Sequence, residues 1–81
     1  MKKTYYLVIY DVKKGRGLVN ALPSVIDEEA AQVLFQDANP TIERKRGGKF
    51  LVKEKRFFEY SNPDGSKTVF IICDAERIIN P

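Results

Sequence analysis

The sequence predicts an α+β fold: a small mixed or antiparallel four-stranded sheet with one helix packed on one face, in the order β-α-β-β-β. Three observations carry this. Residues 4–12 and 67–74 are rich in Tyr, Val, Ile and Phe, which suit strands. Between them, Ile26, Ala30, Val33 and Leu34 recur at helical spacing. Two turn signals, Gly47-Gly48 and Asn62-Pro63-Asp64-Gly65, divide the second half into a meander.

In the first strand, Tyr5, Leu7 and Ile9 point to one face and Tyr6, Val8, Tyr10 and Val12 to the other. Both sets are apolar, so the strand is expected to be central or covered on both sides. Lys13-Lys14-Gly15-Arg16-Gly17 breaks the pattern as a basic loop. Residues 18–22 fit a short strand or a helical turn equally well.

Ser24 is placed to cap a helix over residues 24–38, with Asp27, Glu28 and Glu29 suiting its positive N-terminus. Asn39-Pro40 ends it, because the residue before proline disfavours α geometry. Residues 41–46 and 49–60 then form a hairpin around the glycine pair. Residues 67–74 form the last strand, expected to pair with the first because both are apolar on two sides. Residues 75–79 fit one closing helical turn. In the strand over 49–60 neither alternating face is clean, and a bulge near 53–56 is needed to resolve the pattern.

At 81 residues, 43% hydrophobic and 31% charged, the chain fits one domain, 1–81, with a single small core. One Cys and no His leave no internal disulfide and no Cys/His zinc site. A core this small gains from dimerisation, and a homodimer is an expected state. No apolar run approaches the roughly 18–20 residues of a membrane span, and Asp11 interrupts the opening apolar run too early for a signal peptide. With the free Cys73, this points to the cytoplasm and to no membrane partner.

The absence of His removes the Ser–His and Cys–His nucleophiles and the histidine general base. The expected role is binding rather than catalysis, with no cofactor. Charge segregation says what is bound. Residues 42–56 carry Arg44, Lys45, Arg46, Lys49, Lys53, Lys55 and Arg56 against Glu43 and Glu54, a net +5. Residues 17–40 carry Asp27, Glu28, Glu29 and Asp37 and no base, a net −4.

A basic ribbon can follow a phosphate backbone, and Phe50, Phe57, Phe58 and Tyr60, interleaved with the cations, can stack on bases if exposed. Lys13, Lys14 and Arg16 are candidate helpers. The favoured reading is a nucleic-acid-binding accessory domain that uses this hairpin. The alternative is a protein-interaction module or homodimer working through a sheet edge or apolar face. Core packing of the aromatics and edge protection by Lys and Arg are the plainer explanation of the same residues. Cys73, in an apolar strand next to Asp74, is expected to be buried, inert and raised in pKa.

Tyr6-Leu7-Val8-Ile9-Tyr10-Asp11-Val12 resembles the opening strand of the small CRISPR adaptation subunit, a ferredoxin-like family. The resemblance covers these seven residues. It implies a metal-dependent nuclease centred on Asp11 at a dimer axis. Apart from the resemblance, pairing of the first and last strands would let Glu59, Asp74 and Glu76 converge with Asp11. That family's βαββαβ order differs from the β-α-β-β-β order read from this chain.

Overall fold

The computed structural model describes residues 2–12, 17–18, 24–44 and 48–79. In chain order the elements are β1 (Lys3–Asp11), β2 (Gly17–Leu18), β3 (Ser24–Ile26), α1 (Glu28–Gln36), β4 (Thr41–Arg44), β5 (Gly48–Ser61) and β6 (Lys67–Ile79). The strands form one mixed sheet in the order β2-β1-β6-β5-β4, with β3 also paired to β1. The α+β class and the single described helix agree with the sequence reading. The strand number does not. Two short strands, β2 and β3, share the outer edge of β1, so the sheet is five positions wide rather than four.

The first and last long strands do pair, and they run parallel, from Lys3 opposite Lys67 to Asp11 opposite Ala75. They occupy the middle of the sheet. β5 runs antiparallel to β6 over most of its 14 residues. The turn between them is built as its residues dictate. Gly65 takes φ +88°, which only glycine adopts cheaply. Asp64 Oδ1 accepts from the Ser66 amide at 2.9 Å and the Ser66 hydroxyl at 2.6 Å. Those two bonds hold the Asp64 carboxyl below its usual range. The Asn62 side-chain amide donates to Ser66 Oγ and Thr68 Oγ1.

Two predicted helical segments are strands. Ser24, Val25 and Ile26 pair with Leu7, Tyr6 and Tyr5. Two consecutive β-branched residues, which suit strands, meet the edge of β1 there. Asp27, not Ser24, caps α1, its Oδ1 accepting from the Ala30 amide at 2.8 Å. The buried helix positions are Ala31 and Leu34; Ala30 and Val33 face solvent, and Ile26 precedes the helix. Residues 75–79 continue β6, because the first half of β5 supplies their partners: Ala75 faces Val52 and Ile79 faces Lys49.

The bulge sits where the charge pattern requires it. Val52 faces Ala75 and Glu54 faces Asp74, so Lys53 is the extra residue. Asn39 and Pro40 serve the backbone at this irregularity. The Val52 amide donates to the Pro40 carbonyl at 2.9 Å, and Asn39 Nδ2 donates to the Val52 carbonyl at 3.1 Å. The extra residue exchanges the faces of β5. Phe50 and Val52 point inward before the bulge; Lys55, Phe57 and Glu59 take that side after it.

The core lies between the sheet and α1. Tyr5, Leu7 and Ile9 of β1, Val69, Ile71, Cys73 and Ala75 of β6, and Phe50 and Val52 of β5 meet Ala31 and Leu34, with Ile26 and Ile42 packed alongside. Burying a side chain such as Phe50 is worth roughly 1.5–3 kcal/mol against leaving it wet. No helix among the described residues is long and apolar enough to cross a membrane.

Candidate nucleic-acid interface

The strand registers define the second face of the sheet. Val25, Tyr6, Phe70 and Phe58 lie in register across β3, β1, β6 and β5. One pair of residues further along, Thr4, Thr68 and Tyr60 form a parallel row. On the other side come Val8, Ile72 and Arg56, then Tyr10, Asp74 and Glu54. No described helix packs here, since α1 lies on the opposite face. The rings order one another: Tyr6 stacks on Phe70 with centroids 5.4 Å apart, and Tyr60 meets Phe70 edge-on at 5.9 Å. Phe58, Tyr60 and Val25 are exposed, while Tyr6, Val8, Phe70 and Ile72 are half-buried.

The interleaved aromatics of the sequence therefore divide. Phe50 is fully buried, with the Arg77 guanidinium 4.9 Å from its ring centroid. Phe57 lies on the helix side against Phe35, 4.9 Å between centroids, and Phe35 in turn meets Tyr5. Phe58 and Tyr60 face the open side. Their ring partners Tyr6 and Phe70 were not singled out as site residues from the sequence, although the two-sided apolar pattern of β1 and β6 contains the signal.

The candidate cations divide as well. Lys55 lies on the helix side, where Nζ donates to the Leu34 carbonyl at 2.6 Å and also to the Asp37 carbonyl. The last turn of α1 has no basic residue of its own, and Lys55 supplies the positive charge its C-terminus favours. Arg56 stands on the open face and pairs with Asp74 at 3.4 Å. Lys53, at the bulge, pairs loosely with Glu76 at 3.8 Å. Lys49 and Arg44 lie at the far end of β5 and on β4. Lys13, Lys14, Arg16, Lys45 and Arg46 lie outside the described residues. The residues that flank them, Val12 and Gly17 on one side and Arg44 and Gly48 on the other, come to the same end of the sheet, because β1 is parallel to β6 and β5 antiparallel to it.

At the opposite end, Glu59 bridges Lys3 at 3.2 Å and Lys67 at 3.4 Å. Hydrogen bonds from these two lysines hold its carboxyl below the usual range, and Glu59 holds Lys3 above its own. A shallow hollow of about 430 Å³ lies beside this cluster, lined by Lys2, Lys3, Thr4, Tyr5 and the start of α1.

No protein-family model, curated protein or solved structure matches this chain. Asp11 is buried on the helix side of β1, while Asp74 and its neighbour across the strand, Tyr10, take the open side. Glu59 is at the other end of the sheet, opposite Val69. Among the described residues no three His, Cys, Asp or Glu side chains gather to hold a metal ion. The β-β-β-α-β-β-β order also differs from the βαββαβ order of the CRISPR adaptation subunit. Cys73 is fully buried, and burial pushes its thiol up to about 11, opposed by the charge of Lys55 and reinforced by Asp74. The thiol stays protonated at neutral pH and is a poor nucleophile.

Proposed function

We propose that this protein is a small nucleic-acid-binding accessory domain that takes single strands on the open face of its sheet. The observation that carries the reading is the row Val25–Tyr6–Phe70–Phe58 with Tyr60 beside it, an aromatic platform across four strands on which no described helix packs. Bases of any sequence have π-faces, and stacking them on aromatic side chains is worth about 1–3 kcal/mol each. Unpaired bases can reach such a platform, whereas bases inside a duplex cannot.

Arg56 stands one row from Phe58, and Lys49 shares the open side near the start of β5. Lys13, Lys14, Arg16, Lys45 and Arg46, which lie outside the described residues, would take further phosphates. In this arrangement the cations of the hairpin hold the backbone, and the open face holds the bases. Lys55 is left out of the contact set, because it serves the helix.

Fluorescence anisotropy of labelled single- and double-stranded DNA and RNA tests the reading. The expected result is binding that survives physiological salt and prefers single strands. The double substitution Phe58→Ala and Tyr60→Ala, at about 1–3 kcal/mol per ring, should weaken it by about thirtyfold or more. Each phosphate contact removed from the basic end should flatten the salt slope by about 0.7. Absence of binding at physiological salt, or equal binding by the double variant, contradicts the proposal.

A further inference from the structure

We infer that two copies of this chain pair through the outer edge of β5, antiparallel about a two-fold axis at Phe57, to make one continuous sheet. The inference does not depend on nucleic-acid binding. β4 covers β5 only as far as Leu51, which faces Thr41. Asn39 and Pro40 cover Val52. From residue 54 to residue 61, β5 has β6 on one side and, among the described residues, no strand on the other. That leaves an edge of about 25 Å, at roughly 3.3 Å per residue, with backbone groups ready for another strand.

Proteins usually shorten, bury or cover such an edge. Here it carries large apolar side chains on both faces: Phe57 is 45% exposed, Phe58 44% and Tyr60 53%. The occupant is argued from the sequence of the edge itself, Glu54-Lys55-Arg56-Phe57-Phe58-Glu59-Tyr60-Ser61, which complements its own reverse. With Phe57 opposite the partner's Phe57, Lys55, which keeps its bonds to the Leu34 and Asp37 carbonyls, falls opposite the partner's Glu59, which keeps Lys3 and Lys67, so opposite charges adjoin on the helix face, twice by symmetry. Arg56 falls opposite the partner's Phe58 on the open face. Centring on Arg56 instead would put two like charges together, and centring on Phe58 would separate the opposite charges. One register is thus favoured, as an isologous interface requires. Such a dimer would also place the two open faces side by side.

Sedimentation equilibrium of the full chain from low micromolar to near-millimolar concentration, with two variants, tests this. The wild type should pass from monomer to dimer. Phe57→Lys, which sets two cations on the axis, should stay monomeric while keeping the wild-type circular dichroism. Phe57→Cys should form a covalent dimer under mild oxidation, since the two positions face each other directly, and it does so without adding charge to the Phe35 contact. Ser61→Cys, out of register with itself, should not. A wild type that remains monomeric throughout overturns the inference. So does a Phe57→Lys variant that dimerises like the wild type, or cross-linking through Ser61→Cys in preference to Phe57→Cys. Phe57 is not on the stacking face, so loss of the dimer and loss of nucleic-acid binding are read separately.

Discussion

The two faces of this sheet are built from the same strands and both carry apolar side chains, yet among the described residues only one is covered by a helix. On the helix side, Ile9, Ile71, Cys73, Phe50 and Val52 are fully buried. On the other side, Tyr6, Val8, Phe70 and Ile72 are half-buried and Phe58 and Tyr60 are exposed. The helix makes the difference, together with the devices that fix it: the Asp27 cap at its start and Lys55 at its end. A face made stable by burial tolerates little change. A face left open and aromatic is available for contact with something else.

Substitutions on the two faces should differ in their effect on stability. The largest expected effect is on the closed face: Phe50→Ala, at a fully buried site, should cost about 3–5 kcal/mol in chemical denaturation. A cost below 1 kcal/mol would mean that the core is not where we place it. Alkali offers a second probe of the same face. The Cys73 thiol is raised from 9.0 to about 11 in the folded state, so folding holds its proton more tightly than the unfolded chain does. Its contribution is fully present below pH 9 and is lost as pH rises from 9 towards 11, with a slope of up to about 1.4 kcal/mol per pH unit. Cys73→Ala should remove that alkaline decline, and a decline of unchanged size in the variant would assign it to other groups.

Smaller effects should follow at the helix ends. Lys55→Met keeps the stem but removes the donor to the Leu34 and Asp37 carbonyls, and should cost about 1–2 kcal/mol. Asp27→Ala should cost about 1 kcal/mol by losing the bond to the Ala30 amide, measured by thermal or urea unfolding. The smallest effect belongs to the open face. Phe58→Ala and Tyr60→Ala should each change stability by under about 1 kcal/mol, because much of each ring is already wet. If either cost as much as Phe50→Ala, the open face would be core, and the two sides would not differ as described.

Much of this was legible in the residues. The alternation in β1 assigns both its faces correctly, because a period of two leaves little freedom once one face is buried. The mixed charges of β5 call for a bulge within residues 53–56, and Lys53 is the extra residue. The pairing of β1 with β6 follows from their shared two-sided apolar character. What the sequence hides is long-range. Ser24-Val25-Ile26 reads as a helix start until the free edge of β1 is known. Residues 75–79 read as a closing turn until the first half of β5 is found alongside. Lys55 and Arg56 are adjacent cations of one basic run, and alternation sends them to opposite faces. Which of them reaches the helix end is set by the bulge at Lys53, which the sequence does not place. The aromatic row has the same character, since Tyr6, Phe70 and Phe58 come from three strands and meet only through register.

The claim that the open face is the binding surface has a direct measurement. Aromatic ¹H–¹³C spectra of the full chain, assigned and titrated with a single-stranded oligonucleotide at physiological salt, report each ring separately. The expected result is shifts in Tyr6, Phe58, Tyr60 and Phe70, with Phe35, Phe50 and Phe57 unmoved. Shifts confined to the helix-side rings, or none at saturating oligonucleotide, would contradict it.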